Sequence, residues 1–205
     1  MNDSNNDTQG PNTRRAFLAS VAAAGLGVAA LGLSGAVEAA TTPQQPEADS
    51  GHNYPFPMPQ ATTEKEYREG IIPIVSLSHI ISELAVDRAV HADTKEFANF
   101  ELRETIAVLG ILKAAGTPTP TFDAPVKSIL AKVKSSHGRD FDKAYIGALE
   151  GGHEYLRDLT ELYLSNSDAD SSPVELHVRD LAKISLAFFK EHLVIAKRIK
   201  STLPS

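Results

Sequence analysis

The chain has 205 residues and contains neither cysteine nor tryptophan, and its 20 Lys and Arg against 26 Asp and Glu give a net charge of −6. This length suits one domain or at most two small ones. The lack of cysteine excludes disulfides, a thiolate nucleophile, a zinc ribbon and an iron–sulfur cluster. The acidic balance argues against a nucleic-acid partner, because proteins that bind nucleic acids usually carry a basic face.

An export signal is predicted at the N-terminus. Arg14 and Arg15 precede a Phe-Leu pair and a run of Ala, Gly, Val and Leu, which is the pattern of twin-arginine (Tat) signals. Small residues around position 39 suit signal peptidase. Residues 1–39 are therefore expected to be a Tat-type signal peptide that the Tat export machinery binds through Arg14 and Arg15. The mature protein would be periplasmic or otherwise extracytoplasmic, and the alternative is an uncleaved signal anchor in the inner membrane.

Prolines dominate residues 40–62, and we expect this segment to be a disordered tether. Residues 63–205 have helical periodicity and no alternating strand pattern. A capping-box pattern of Thr63 and Glu66 predicts a short helix that Gly70 ends. Further helices are expected at about 72–91, 93–115, 125–135, 139–164 and 173–202. Four of them are long and joined by short loops, which predicts an all-α, antiparallel four-helix bundle with one short extra helix.

Four polar residues fall on or beside the apolar faces of these helices. Glu101 and Glu104 lie on the apolar stripe of the helix at 93–115, and His192 lies within that of the last helix. His153 lies at the flank of its stripe. Because bundle interiors converge carboxylates and imidazoles on metal ions, the set predicts a site for iron, manganese or zinc. The alternative at each residue is a structural role in a hydrogen bond or an ion pair.

One local motif also suggests metal chemistry. The stretch Glu150-Gly-Gly-His153 matches the Glu-x-x-His signature of di-iron bundles. The helical phase turns Glu150 away from the apolar face, so we expect this carboxylate to point outward and the di-iron motif to be incomplete. His79 and Glu83, one turn apart, are expected to form a surface pair.

The region from about 72 to 200 resembles the bacterial domain-of-unknown-function family 4142, whose members are exported, ferritin-like helical bundles often labelled predicted outer membrane proteins. The matching stretches are Leu84-Ala85-x-x-Arg88-Ala89, Thr94-Lys95-Glu96-Phe97-Ala98, Phe141-Asp142-Lys143-Ala144-Tyr145, Gly152-His153, Leu181-Ala182 and Phe189-x-Glu191-His192-Leu193-x-x-Ala196. The resemblance implies a ferritin-like fold and matches polar core positions at His153 and His192. This sequence departs from the family at Ser78, where the family has Glu, and at Glu104-Thr105, where the family has Asp-His. If the family pattern is a metal site, this chain lacks one carboxylate and one imidazole of it, and Glu101 could compensate for one of them.

Two functions follow from these patterns. The first is an exported, non-catalytic envelope, stress-related or binding protein whose inward polar residues form a structural network. The alternative is a metal-binding or metal-dependent redox protein that uses Glu101, Glu104, His153 and His192. The chain has no nucleotide-binding, hydrolase or His-Glu-x-x-His motif. The non-catalytic role comes first because satisfied polar groups in a core are commoner than functional sites. A second apolar face on the helix at 72–91 suggests a homo-oligomer, unless the short helix at 125–135 covers it.

Overall fold

The computed structural model describes residues 52, 54–166 and 172–204 of the chain. Within these ranges the chain forms five α-helices and no strand, as the sequence predicts. The helices are α1 Glu64–Arg88, α2 Ala92–Ala114, α3 Ala124–Ser135, α4 Gly138–Asn166 and α5 Pro173–Thr202. The predicted signal peptide and the first part of the predicted tether lie outside the described residues.

The four long helices run antiparallel to their neighbours. Near the start of α1, Tyr67 shares a hydrogen bond of 3.2 Å with Thr160, and near its end Ser82 shares one of 2.9 Å with Tyr145. These two contacts show that α4 runs opposite to α1. Helix α1 also packs along α2, and α4 along α5; α2 and α5 are in looser contact, and α1 and α5 in looser contact still. The helices therefore surround the core in the order α1, α2, α5, α4.

The short helix α3 carries the chain across the bundle between α2 and α4. Its N-cap residue Asp123 accepts a hydrogen bond of 2.9 Å from the backbone N–H of Val126, as the Asp-x-Pro pattern predicts. Val126 and Val133 are buried where α3 packs against α1 and α4. Arg88, at the end of α1, donates to the carbonyl oxygen of Ser136. Helix α3 therefore covers apolar surface of α1 that would otherwise be exposed.

The predicted break at Gly70 is wrong, because α1 is one continuous helix from Glu64 to Arg88. The capping box at Thr63 begins this helix as predicted. Gly70 lies in its interior, where an added Cβ atom would approach Leu159 Cδ2 to 3.0 Å. The close packing of α1 on α4 explains why this residue is a glycine. Glycine in a helix interior costs about 1 kcal/mol relative to alanine, and burial of the apolar residues of α1 outweighs this cost.

The described end of the proline-rich segment packs on the bundle. The Tyr54 hydroxyl donates to Asp158 at 3.2 Å. The rings of Tyr54 and Phe56 meet the ring of Tyr155 edge-on, with centroids 5.5 and 5.3 Å apart. Phe56 and Ala61 are buried, so the packed domain begins before the predicted boundary at residue 63.

Among the described helices, α1 alone is long and apolar enough to cross a membrane by length and composition. Half of its most apolar stretch is buried within the bundle. Core helices of globular proteins pass the same test, so this property of α1 is weak support for a membrane span.

Candidate metal centre

Three helices bring Glu101, His153 and His192 together inside the bundle. Glu101 lies on α2, His153 on α4 and His192 on α5, and the three residues are 2%, 2% and 5% exposed. Within the described ranges they form a group whose candidate ligand atoms all lie within 4.8 Å of one another. The helical periodicity placed Glu101 and His192 correctly on inward faces, and His153, which it placed at the flank of its stripe, is buried as well.

The candidate ligand atoms form a tight triangle. Glu101 Oε1 lies 3.0 Å from His153 Nε2 and 2.6 Å from His192 Nδ1, and the two ring nitrogens lie 3.3 Å apart. Tetrahedral ligands with bonds of about 2.0–2.2 Å lie roughly 3.3–3.6 Å from one another. The three atoms are therefore close to the spacing at which they could share one ion.

The ring of His153 is held by its own helix. Its Nδ1 atom lies 2.7 Å from the carbonyl oxygen of Leu149, one turn earlier. A carbonyl oxygen only accepts hydrogen bonds, so Nδ1 must carry the proton and donate. In the neutral ring, Nε2 is then an acceptor, and it takes the hydrogen bond of 3.3 Å that it shares with His192 Nδ1. A backbone carbonyl that fixes the second nitrogen in this way is the usual support of a metal-ligating histidine.

Glu101 Oε1 is buried and accepts no hydrogen bond. It lies within ion-pair distance of both rings, but neither ring N–H is directed at it. A buried polar atom without a hydrogen bond is rare and costly. The two imidazoles share one hydrogen bond of 3.3 Å, between His192 Nδ1 and His153 Nε2, but Glu101 Oε1 takes part in none. A cation at the point where the three atoms converge would satisfy this oxygen.

Glu104 contacts the opposite edge of the His192 ring. Its Oε2 atom lies 3.0 Å from His192 Nε2, and its side chain is one-third exposed. The atom of His192 that faces Glu101 and His153 is Nδ1, so Glu104 lies outside the triangle of ligand atoms. A carboxylate that accepts from the distal N–H of a ligating histidine orients the ring and raises its basicity. Of the four predicted metal ligands, the structure brings three together and places Glu104 behind one of them.

The charges of this group stabilise each other in the absence of a metal. Burial opposes the charged form of His192, but the nearby carboxylates of Glu101 and Glu104 outweigh it and raise the pKa of His192 to about 9. Burial likewise raises the pKa of Glu101, but the nearby imidazoles of His153 and His192 outweigh it and lower this pKa to about 2. The metal-free group is therefore an imidazolium–carboxylate pair near neutral pH.

The expectation that Glu150 points outward is wrong. Its side chain is largely buried, because Lys200 of α5 folds over it with Nζ 2.5 Å from Oε2. Glu150 is paired with Lys200 and is not among the converging ligand atoms, so the Glu-x-x-His match supplies one member of the group, His153. The partner that buries Glu150 comes from another helix, which the phase of α4 by itself does not indicate.

Other polar residues named by the sequence lie around the group rather than in it. Tyr145 is buried and bonded to Ser82. His79 Nε2 lies 3.6 Å from Glu83 on the rim of the bundle, which confirms the predicted pair, and its Nδ1 lies 3.3 Å from the Thr105 hydroxyl. The side chains of Tyr145 and His79 thus have partners within the protein, as expected of residues with a structural role.

A small cavity adjoins the three candidate ligands. Its volume is about 20 Å³, and Glu104, Ser78, Ser185 and Phe188 are among the residues that line it. This is room for about one water molecule or ion. An ion held by three protein ligands would therefore have space for a further, exchangeable ligand on this side.

Comparisons with protein-family models, with curated proteins and with solved structures give no match for this chain. The resemblance to family 4142 therefore stays a prediction. The candidate metal centre rests on the positions of its own side chains.

Proposed function

We propose that the protein binds one divalent transition-metal ion through Glu101, His153 and His192, with Glu104 as a positioning residue for His192. The convergence of three buried ligand atoms, one of them without a hydrogen bond, carries this proposal. Two imidazoles and one carboxylate suit iron, manganese or zinc. The small cavity beside them leaves room for an exchangeable ligand, which is a feature of metal sites that bind or transform small molecules.

Export by the Tat route agrees with such a site. The Tat machinery carries folded proteins, so a metal ion could be inserted in the cytoplasm and retained during export. This part of the proposal rests on the Arg14-Arg15 signal, and the domain that follows would act outside the cytoplasm as a metal-binding envelope protein.

Elemental analysis of the protein purified from its exported fraction tests the proposal. We expect about one iron, manganese or zinc ion per chain. The Glu101→Gln variant should lose most of this metal, because a neutral amide replaces the anionic ligand. Glu150→Gln is the matched control, since it removes another largely buried carboxylate that contacts Lys200 instead, and it should keep its metal. A wild-type protein that stays metal-free with all three metals supplied would contradict the proposal.

A purely structural role for the same residues is the second candidate. It is favoured by the contacts of His192, whose two nitrogens each face a carboxylate and so need no metal to be paired. In that case the His192→Leu variant melts at a lower temperature, and wild type and variant contain equally little metal. Metal binding predicts instead that the variant loses the ion that the wild type holds.

A further inference from the structure

A wide groove separates the second half of α2 from the first half of α5. Its volume is about 680 Å³, within the range of about 300–1,000 Å³ typical of small-molecule sites. Aliphatic and aromatic side chains supply most of its lining, chiefly Val108, Ile111, Val178, Leu181, Ile184 and Phe188. The groove exists because α2 and α5 diverge where the other neighbouring helices stay in close contact.

This groove leaves large apolar side chains in water. Ile184 is 58% exposed and Ile111 is 42% exposed, and Val174 and Phe188 are also exposed. Single exposed apolar residues are normal, but several around one concave surface typically mark a binding site. An apolar occupant would remove this surface from water at a gain of about 25 cal/mol per Å².

Ser185 gives the inner end of the groove a distinct chemistry. The residue is 1% exposed and lines both the groove and the small cavity beside Glu101. The buried hydroxyls of Thr105 and Thr160 bond to the carbonyl four residues earlier, at 2.8 and 2.6 Å, whereas the buried Thr94 hydroxyl has no partner. The Ser185 hydroxyl has no hydrogen-bond partner. Because unpaired buried hydroxyls are costly, it is suited to bond a ligand.

The charges around this end disfavour an anionic ligand, and the carboxylate of Glu104 is already paired with His192. Glu104 lines the groove beside Ser185, and its carboxylate would repel an anionic head group. Arg103 also lines the groove, but its guanidinium lies over the ring of Phe100, 5.3 Å from the ring centroid, and Phe100 is outside the lining. An uncharged oxygen that hydrogen-bonds the Ser185 hydroxyl therefore suits this position better than a carboxylate does.

We infer that the groove binds a single-chain apolar molecule with an uncharged oxygen at one end, of the class of long-chain alcohols. The oxygen bonds the Ser185 hydroxyl, and the chain lies along Ile184 and Ile111 toward Val174. The inference goes beyond the proposed metal site and does not require it, because the apolar groove and the Ser185 hydroxyl are present without an ion. Bound in this way, the oxygen end lies next to the candidate metal centre.

Titration of the full-length protein with 1-decanol, followed by NMR of ¹³C-labelled isoleucine methyl groups, tests the inference. We expect saturable shifts of the Ile111 and Ile184 methyl groups, with much smaller changes at buried isoleucines such as Ile81 and Ile146. Decanoate has the same chain length and a charged head, and it should bind at least fivefold more weakly. Equal affinity for decanoate, or shifts spread over all isoleucines, would overturn the inference.

Two variants locate the binding site. Ile184→Glu places a charge in the groove at an exposed position and should weaken decanol binding at least tenfold. Val194→Glu changes another exposed residue of α5 outside the groove lining, and it should leave binding unchanged. Ser185→Ala should lower decanol affinity about fivefold, as expected for one lost hydrogen bond, and bring it close to that of decanoate.

The same variants separate this inference from its rivals. If light scattering shows a wild-type dimer that Ile184→Glu dissociates, a second copy of the chain covers the groove and the inference fails. If decanol binds as expected while elemental analysis finds no metal, the groove assignment stands and the metal proposal fails. If the wild type does not bind decanol while Ile184→Glu still contains its metal, the groove assignment fails and the metal proposal stands.

Discussion

Glu104 contacts His192 at the edge of the imidazole that faces away from Glu101 and His153, the other two candidate ligands, with Oε2 3.0 Å from Nε2. Glu101 contacts the same ring at Nδ1. The ring of His192 is thus held between two carboxylates of one helix, one turn apart, and these carboxylates have different tasks. Glu101 has an oxygen in the triangle of candidate ligand atoms, whereas Glu104 pairs with the distal nitrogen and, in the proposed site, leaves Nδ1 to face the ion.

The first prediction separates these tasks. Glu104→Gln should weaken Zn²⁺ binding by about 10–100-fold, the usual effect of removing an orienting carboxylate, while Glu101→Gln should abolish measurable binding. Competition with a zinc chelator gives both affinities. Glu83→Gln is the control, since it removes an exposed carboxylate that pairs with His79, and it should leave the affinity unchanged. Equal losses in the Glu104 and Glu101 variants would show that Glu104 is itself a ligand.

The second prediction concerns the pH dependence of metal binding. A metal ion at His192 Nδ1 must displace the proton that the metal-free ring holds up to a pH of about 9. Zn²⁺ affinity should therefore rise about tenfold per pH unit between pH 6 and 8. Calorimetric titrations in buffers of different ionisation enthalpy should show the release of about one proton per ion. An affinity independent of pH would argue against His192 Nδ1 as a ligand.

The third prediction concerns the stability of the metal-free protein. The pKa of His192 is raised from 6.5 to about 9, so its contribution to the free energy of unfolding is complete below pH 6.5 and is lost as the pH rises through 9. The pKa of Glu101 is lowered from 4.5 to about 2, so its contribution is complete above pH 4.5 and is lost as the pH falls through 2. Both contributions are complete only between pH 4.5 and 6.5.

Urea unfolding of the metal-free protein from pH 5 to 9.5 measures this effect. The urea midpoint of the wild type should fall between pH 6.5 and 9. His192→Asn should start from a lower midpoint and lack most of this fall, because the titrating ring is absent. A variant with the same alkaline profile as the wild type would assign the loss of stability to other groups.

The fourth prediction compares two glycines of the long helices. Alanine normally stabilises a helix by about 1 kcal/mol relative to glycine. At Gly147 nothing lies within 4 Å of an added Cβ atom, so Gly147→Ala should stabilise the protein by about 0.5–1 kcal/mol. At Gly70 the new atom would press on the fully buried side chain of Leu159, so Gly70→Ala should destabilise it by about 1–2 kcal/mol. Thermal melting of both variants tests the difference, and equal stabilisation by both would show that α1 and α4 tolerate a wider spacing.

Helical periodicity predicted much of this fold and of the candidate centre. It located α2 to α5 with small errors at their ends and split α1 at Gly70. It placed Glu101 and His192 on inward faces and His153 at the flank of one. Such predictions succeed because the apolar stripe of a helix reports its rotation about its own axis. The stripe does not report how two helices are rotated against each other. The sequence therefore could not distinguish Glu101, which faces both histidines, from Glu104, which contacts only the far edge of His192.

The features that the sequence did not predict depend on contacts between helices. Gly70 was expected to end a helix, and only the approach of Leu159 explains why it lies inside one. Glu150 was expected in solvent, and only the reach of Lys200 explains its burial. The groove was missed because Val174 and Phe188 belong to the apolar stripe of α5, and a stripe predicts a buried face even where no neighbouring helix is close enough to cover it.

The crossover made by α3 has a mechanical consequence for this cysteine-free domain. It divides the bundle into a hairpin of α1 and α2 and a hairpin of α4 and α5, and α2 meets α5 only loosely. An ion held by Glu101 of the first hairpin and by His153 and His192 of the second would tie the two together across their weakest line of contact. In a chain that can form no disulfide, the metal would then serve as a removable cross-link, and chelation would loosen α2 before the rest of the bundle.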